Sequence, residues 1–244
     1  MNFSTPILGV KMTQQKIYVA LENQIIIFEF SDFSAFNPIY TFSNPYGICS
    51  VSSTADLTSV FPGEFKGSLI IHKWNKDGTP TTKDPIKIHE NDLSCVALSH
   101  DGEFFCVAVE DSDSAMIYEV DSGCLFKKLC YGYPIMGVSS IAFSKDNSLV
   151  AIVAEESGVC YVFGTSAGDM RSRSARRMLK PSYFNTVHAP KKINVPLQKS
   201  IAFFSDDNRY VTVLSTDGTI AKHEITFNDE VVTAKTIYCH KLIE

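Results

Sequence analysis

The 244-residue chain has few of the features that mark metal, redox, secreted or membrane-spanning proteins. Its seven cysteines are odd in number and form no CxxC pair, which argues against a disulfide framework and a zinc ribbon. Cys95 in LSCVAL, Cys106 in FFCVAV and Cys160 in GVCYVF stand inside apolar runs, as small buried hydrophobes of a reducing compartment do. The six histidines are scattered, and Cys239-His240 has no second pair to answer it, so no metal is expected. The longest unbroken apolar run, reached at Leu149 to Ala154, is six residues, whereas a membrane-spanning helix needs about twenty. The opening MNFSTPILGV lacks a basic n-region, so no signal peptide is expected. Lys plus Arg number 22 against 27 Asp plus Glu, and the net charge of −5 argues against a nucleic-acid coat. With 45% hydrophobic and 20% charged residues, a sizeable core is expected in a soluble cytoplasmic chain.

Enzyme signatures are also scarce. There is no P-loop, GxGxxG or HExxH. Gly164-Thr165-Ser166-Ala167-Gly168 fits the GxSxG pattern, but that elbow needs a parallel strand before it and a helix after it. Here it ends a repeat unit, where Asp121-Ser122-Gly123 ends the preceding one, and reads as a turn between antiparallel strands. The histidines show no relay spacing and read as surface or turn residues. No enzyme and no cofactor are expected.

What the chain does contain is alternation. LSCVALSHDGEFFCVAVEDSDSAMIYEV (Leu93 to Val120), SSIAFSKDNSLVAIVAEESGVCYVF (Ser139 to Phe163) and KSIAFFSDDNRYVTVLSTDGTIAKHEI (Lys199 to Ile225) share one pattern. Each reads as strand, tight polar turn, strand, turn, strand. The first turns are Asp101-Gly102, Asp146-Asn147 and Asp207-Asn208, residue types that tolerate left-handed backbone. Two divergent copies precede them, at Ile7 to Phe30 and Gly47 to Trp74. Ser50, Ala97 and Ala142 are spaced by 47 and 45 residues, and Ala202 follows 60 residues on, which implies an insertion of about fifteen. A period of about 40–50 with several short strands is the mark of a β-propeller, with a β-sandwich as the competing architecture. The fold expected is all-β, a WD-repeat-like propeller with five recognisable blades in one domain over residues 1–244. Phe28, Phe104, Phe143, Phe163 and Phe203 fall on its strands, and Trp74 ends one and reads as packing.

Several stretches carry a family likeness. ILGVKMTQQKIYVALENQIIIFEF, TFSNPYGICSVS (Thr41 to Ser52), VFPGEFKGSLIIHKW and HENDLSCVALSHDGEFFCVAVED occur in one order, with an NP-x-G and a PG-x-x-x-G element and no WD dipeptide. In these the chain resembles the PROPPIN family, the WIPI-type seven-bladed propellers that bind phosphoinositides in autophagy. The resemblance implies a phosphatidylinositol 3-phosphate or 3,5-bisphosphate effector and scaffold in autophagosome formation. It implies peripheral placement on autophagosome-precursor or endosomal membranes, and autophagy proteins as partners on the propeller faces. It also implies two blades N-terminal to the five visible here.

The family's headgroup motif, Phe-Arg-Arg-Gly, aligns with Leu129, Cys130, Tyr131 and Gly132, so only the glycine matches. His89 matches a family histidine and Ser114 keeps a hydroxyl, which with Gly132 makes the headgroup set the resemblance implies. Ser112 stands where the family has a basic residue, and Val159 and Tyr161 replace the Thr and His of its second pocket. Losing bidentate contacts of about 1.5–3 kcal/mol each weakens a pocket roughly 10- to 100-fold per contact. The alternative reading is therefore a degenerate propeller acting only as a protein-interaction scaffold.

The insertion is the most distinctive segment. A basic loop is expected over about 165–195, and from Arg171 to Lys192 it carries seven basic residues and no acid. Arg171, Arg173, Arg176, Arg177 and Lys180, with Phe184 on an apolar side, form the candidate membrane-contact set. An inert solvated loop and a nucleic-acid or nuclear-import segment are the competing readings of the same charge pattern. Ser172 and Ser174 lie among the arginines, where phosphorylation would cancel charge.

Overall fold

The computed structural model describes residues 3–52, 57–75, 77–165, 186–188, 190–228 and 231–242. All of its regular structure is β, arranged as five sheets in chain order, antiparallel but for one short pair. The first contains β1 (Gly9–Met12), β2 (Lys16–Ala20), β3 (Gln24–Glu29) and β4 (Ile39–Tyr40). The second contains β5 (Ser50–Val51), β6 (Thr58–Pro62), β7 (Ser68–Trp74) and β8 (Pro80–Thr82), with β9 (Ile86–Lys87) also on β7. The third contains β10 (Leu93–Leu98), β11 (Phe104–Val109), β12 (Ser112–Glu119) and β13 (Leu125–Ile135). The fourth uses β14 (Val138–Phe143), β15 (Leu149–Ala154), β16 (Val159–Gly164) and β18 (Lys191–Asn194). Between the last two lies β17 (Thr186–Val187), which pairs parallel with β13 of the third sheet. The fifth contains β19 (Ser200–Phe204), β20 (Tyr210–Ser215), β21 (Thr219–Asn228) and β22 (Val231–Lys241).

The first strands lie side by side in order: β1 on β5, β5 on β10, β10 on β14, β14 on β19. Residues beside or within all five line a cavity of about 990 Å³, including Lys11, Gly47, Ser94, Ser139 and Ser200. This is the radial order of a propeller, and the sandwich reading is set aside. Three-stranded units read from the sequence gain a fourth strand in every sheet, short in the first, second and fourth and 11 residues long in the third and fifth.

The second strands explain the continuous apolar runs. Phe104, Cys106 and Ala108 of β11 face the fourth sheet, and Phe105, Val107 and Val109 face the second. In β15, Val150, Ile152 and Ala154 pack toward the third sheet, and Leu149, Ala151 and Val153 toward the fifth. A strand buried on both faces reads as an unbroken run, because each alternate side chain meets a neighbouring sheet. Each first turn of the last three sheets repeats one device. Ser99, Ser144 and Ser205 donate their hydroxyls to Asp101, Asp146 and Asp207 and accept the amides of Phe104, Leu149 and Tyr210. Gly102, Asn147 and Asn208 follow with φ of 72°, 60° and 59°, as the turn residues require.

The end sheets differ. Ile17, Val19, Leu21 and Phe28 form an apolar cluster on the face of the first sheet away from the second, beside the exposed Val10 and Met12 of β1. In the fifth sheet, Ile201 is 53% and Phe203 46% exposed. Phe203 is therefore a strand residue but not a core one, unlike Phe28, Phe104, Phe143 and Phe163. Two histidines also correct the sequence reading: His72 of β7 and His223 of β21 are buried strand residues.

Candidate functional site

The two glycine-bearing elements of the family likeness have local physical causes. In the NP-x-G element, Asn44 accepts the Ile48 amide through Oδ1 at 2.7 Å and donates from Nδ2 to the Ile48 carbonyl at 3.2 Å. That buried side chain closes the turn leading into β5. In the PG-x-x-x-G element, Gly67 adopts φ +64° and its carbonyl accepts the amides of Ile88 and His89 at 2.9 and 3.2 Å. A Cβ at Gly67 would lie 1.9 Å from the His89 carbonyl oxygen, so only glycine lets the two chains approach. His89 is thereby anchored just before β10. Its Nδ1 accepts the Asn91 amide at 3.1 Å, and Asn91 Nδ2 donates to the Glu110 carbonyl at 3.0 Å.

Ser114 of β12 is buried opposite Cys130 of β13, two residues before Gly132. The Ser114 hydroxyl donates to the Asp113 carboxylate at 2.8 Å, and the Ser112 hydroxyl donates to the Ser114 carbonyl at 3.0 Å. Asp113 also pairs with Lys128 of β13 at 3.3 Å. Donation from Ser114, aided by Lys128, holds the Asp113 carboxyl below the usual carboxylate range. The fold thus brings Ser114 and Gly132 onto adjacent strands. His89 is tied to Gly67 and Asn91 and makes no hydrogen bond to either of them.

Between Cys130 and Ile135 the register of β13 slips, and Gly132 sits in that bulge at φ +98°. The residues flanking the slip diverge. Leu129 and Tyr131 enter the core shared by the third and fourth sheets, whereas Tyr133 is 43% exposed. Tyr131 therefore occupies the place of a headgroup arginine with a buried ring packed 5.1 Å from that of Tyr161. Tyr161 bonds its hydroxyl to that of Tyr133 at 2.6 Å, and Lys192 of β18 lies opposite it in register. The Lys192 ammonium is 5.1 Å from the Tyr133 ring and 5.6 Å from that of Tyr161. Burial, then the bond to Tyr133, pushes the Tyr161 phenol up.

Asp113, Lys128, Tyr133 and Lys192 are the residues that sequence reasoning missed. The signal for Asp113 was a carboxylate inserted beside Ser112 and Ser114; Lys192 was visible only as the end of a basic run. The membrane-contact set, Arg171, Arg173, Arg176, Arg177, Lys180 and Phe184, lies outside the described residues, as do Ser172 and Ser174.

The axial cavity has a different character. Glu110, Glu155 and Glu156 stand around it with Tyr46 and Lys11. Burial, together with neighbouring carboxylates, raises the Glu110 carboxyl above its ordinary value. Among the described residues no group of three or more His, Cys, Asp or Glu side chains is placed to hold a metal ion.

No family model matches the chain. Among curated proteins it is 23% identical over 232 residues to Autophagy-related protein 18e of Arabidopsis thaliana, covering 91% of this chain and 60% of that protein. It is 24% identical over 252 residues to SVP1-like protein 2 of Pichia angusta, covering 94% and 69%. The chain thus spans 60% of the first relative's length. Among solved structures, Kluyveromyces lactis Hsv2 superposes with a TM-score of 0.80 at 16% identity, over 100% of this chain and 76% of that one. The propeller in the complex of KlAtg21 with the coiled-coil of AgAtg16 gives 0.73 at 18%, over 98% and 72%. These likenesses bear out the PROPPIN resemblance and the β-propeller fold.

Proposed function

We propose that this chain is a phosphoinositide effector and scaffold that works at membranes during autophagosome formation. Its relatives are autophagy proteins, and the likeness runs across nearly the whole chain in blade order. That collinearity is the observation that carries the reading. It is a binding role, with no chemistry to perform, in one propeller domain of residues 1–244.

The reading assigns two contacts to the membrane. Ser114 and Gly132 flank a rim position on adjacent strands of the third blade, with His89 beyond them. The loop residues Arg171, Arg173, Arg176, Arg177 and Lys180 would each add about 1 kcal/mol against an anionic leaflet, with Phe184 entering the interface. Placement is cytoplasmic and peripheral, on autophagosome-precursor or endosomal membranes. Autophagy proteins dock on the propeller faces in this reading; the similar Atg21 forms a complex with the coiled-coil of Atg16.

Flotation of the full chain tests this. Binding to phosphatidylcholine vesicles doped with phosphatidylinositol 3-phosphate should exceed binding to vesicles of equal charge doped with phosphatidylserine. Equal binding to both, lost when Arg176 and Arg177 are neutralised, would reduce the role to loop electrostatics. No binding to either would leave a protein-interaction scaffold, the reading that Cys130 and the buried Tyr131 favour where the family has two arginines.

A further inference from the structure

We propose that the axial cavity binds an arginine side chain of a partner peptide, held by Glu110 of the third blade, Glu155 of the fourth, and Ser94. The site shares no residue with the membrane contacts assigned above and does not depend on them.

The two glutamates hold one position in successive blades. Glu110 directly follows β11 and donates its amide to the Asp92 carbonyl at 2.9 Å. Glu155 directly follows β15 and donates its amide to the Gly137 carbonyl at 3.0 Å. The fifth blade repeats this bond from Thr216 to the Lys199 carbonyl at 3.0 Å, but with an uncharged side chain. All three residues line the cavity, and Glu156 joins them beside Glu155. Backbone bonds at the strand ends thus fix a carboxylate from each of two neighbouring blades at the axis.

Their charge is left unbalanced. Among the described residues no cation lies within ion-pair distance of Glu110, Glu155 or Glu156. Lys11 and Lys199 reach the cavity from the first and fifth blades, and neither pairs with a described carboxylate. The nearby Asp92, by contrast, is held by Lys66 at 3.1 Å. Burial, then repulsion from Asp92, Glu156 and Glu155, lifts the Glu110 carboxyl, and a bound cation would relieve that repulsion. An independent feature points the same way. Ser94, two residues after Asp92, is 6% exposed and lines the same cavity, and its Oγ has no hydrogen-bond partner. A buried hydroxyl oxygen without a partner is costly, and a donor entering the cavity would satisfy it.

Two carboxylates and a hydroxyl oxygen call for a cation with many donors. A guanidinium brings five N–H groups and a fixed charge, enough for both glutamates and for Ser94. Tyr46 is 52% exposed beside the cavity, with its hydroxyl bonded to the Glu110 carboxylate, and supplies an aromatic ring on which the guanidinium plane can stack. An ammonium has three donors and no plane. Leu197 and Met136, 72% and 50% exposed, also border the cavity. They suit apolar residues on either side of the arginine, which favours a peptide over a free small cation.

The probe is a fluorescein-labelled peptide with one arginine between leucines, together with a twin carrying neutral citrulline in its place, each titrated with the full chain by fluorescence anisotropy. The arginine peptide should bind saturably, and the twin roughly tenfold more weakly or worse, since charge-assisted contacts are lost. Glu110→Gln and Glu155→Gln should each weaken binding about tenfold and Ser94→Ala several-fold, with unchanged circular dichroism spectra. Glu64→Gln, on the second blade and outside the cavity, should have no effect. If Glu110→Gln disturbs the fold, the half-exposed Glu155 decides the matter through its own variant. Absence of saturable binding at millimolar peptide, equal affinity for the twins, or wild-type affinity in both glutamate variants would overturn the site. Displacement by spermidine at concentrations equal to the peptide's would assign the cavity to a free polyamine and overturn the peptide. Peptide binding in a chain that ignores phosphatidylinositol 3-phosphate vesicles would support this site while the membrane reading falls.

Discussion

The hydroxyl of Ser140, in the first strand of the fourth blade, accepts the amide of Ala202 in the first strand of the fifth at 3.2 Å. Ser50 does the same between the second and third blades, accepting the Leu98 amide at 2.9 Å. Side chains thus bridge neighbouring sheets. Radial order depends on such contacts as well as on shared apolar faces.

Ser140→Ala should therefore destabilise the fold more than Ser50→Ala. Ser140 and Ala202 are both buried, so losing the acceptor strands an amide away from water, at about 1–3 kcal/mol. Ser50 and Leu98 are only half-buried, and water can replace the hydroxyl at a cost nearer 1 kcal/mol. Urea unfolding with unchanged slopes would read the difference; the reverse order would refute the account.

Two glycines with left-handed backbone should behave differently when given a methyl group. Gly132→Ala meets no atom within 4 Å, so its cost is the backbone term alone, roughly 1–2 kcal/mol. Gly67→Ala adds a collision with the His89 carbonyl and must displace the β9–β10 connection. Its midpoint should fall well beyond that of Gly132→Ala, and His89 ring resonances should move. Equal midpoints would mean the Gly67–His89 contact is soft.

Much of this fold was legible because the second strands are buried on both faces. FFCVAV and LVAIVA could be read as strands from their length and flanking turns, and Asp101-Gly102, Asp146-Asn147 and Asp207-Asn208 fixed where the hairpins bend. The outer strands were not legible. Pro80–Thr82 is short, polar and exposed, and Thr186–Val187 pairs in parallel with a strand about sixty residues earlier, which no local pattern encodes. His72 and His223 were misread although alternation held the answer. His72 lies between Ile70 and Trp74, and His223 between Ala221 and Ile225, so each shares a buried face. At the site, Ser114 and Gly132 could be placed by family likeness. The Lys192–Tyr133 neighbourhood depends on a bulge in one blade and the fourth strand of the next, and is a tertiary fact.

Those histidines set a pH dependence. Burial against Phe61 and Trp74 drives the His72 pKa down from 6.5 to about 4, and its Nδ1 has no hydrogen-bond partner. At neutral pH the ring is uncharged in both folded and unfolded chains, so it contributes nothing. As pH falls below 6.5 the unfolded chain takes up a proton that the folded one refuses, and stability drops until about pH 4. The loss is about 2 kcal/mol near pH 5. Burial lowers His223 as well, so it acts in the same direction. Urea midpoints taken near pH 7 and pH 5 should fall on acidification, and His72→Leu should flatten the fall. An equal slope in the variant would show that other groups carry it.

Asp113 opposes the membrane reading locally, and its removal should show by how much. Its carboxylate pairs with Lys128 at 3.3 Å, on the strand next to Ser114. Both side chains are about half exposed, so Asp113→Asn should change stability by no more than about 1 kcal/mol. At the membrane the same substitution removes a repelled charge and releases Lys128 to face lipid phosphate. One unit of charge near an anionic surface is worth about 1 kcal/mol, which is roughly a fivefold gain in vesicle affinity. The gain should fade in about 1 M salt, where screening acts within roughly 3 Å. Weaker or unchanged binding at low salt would place this rim of the third blade away from the lipid surface.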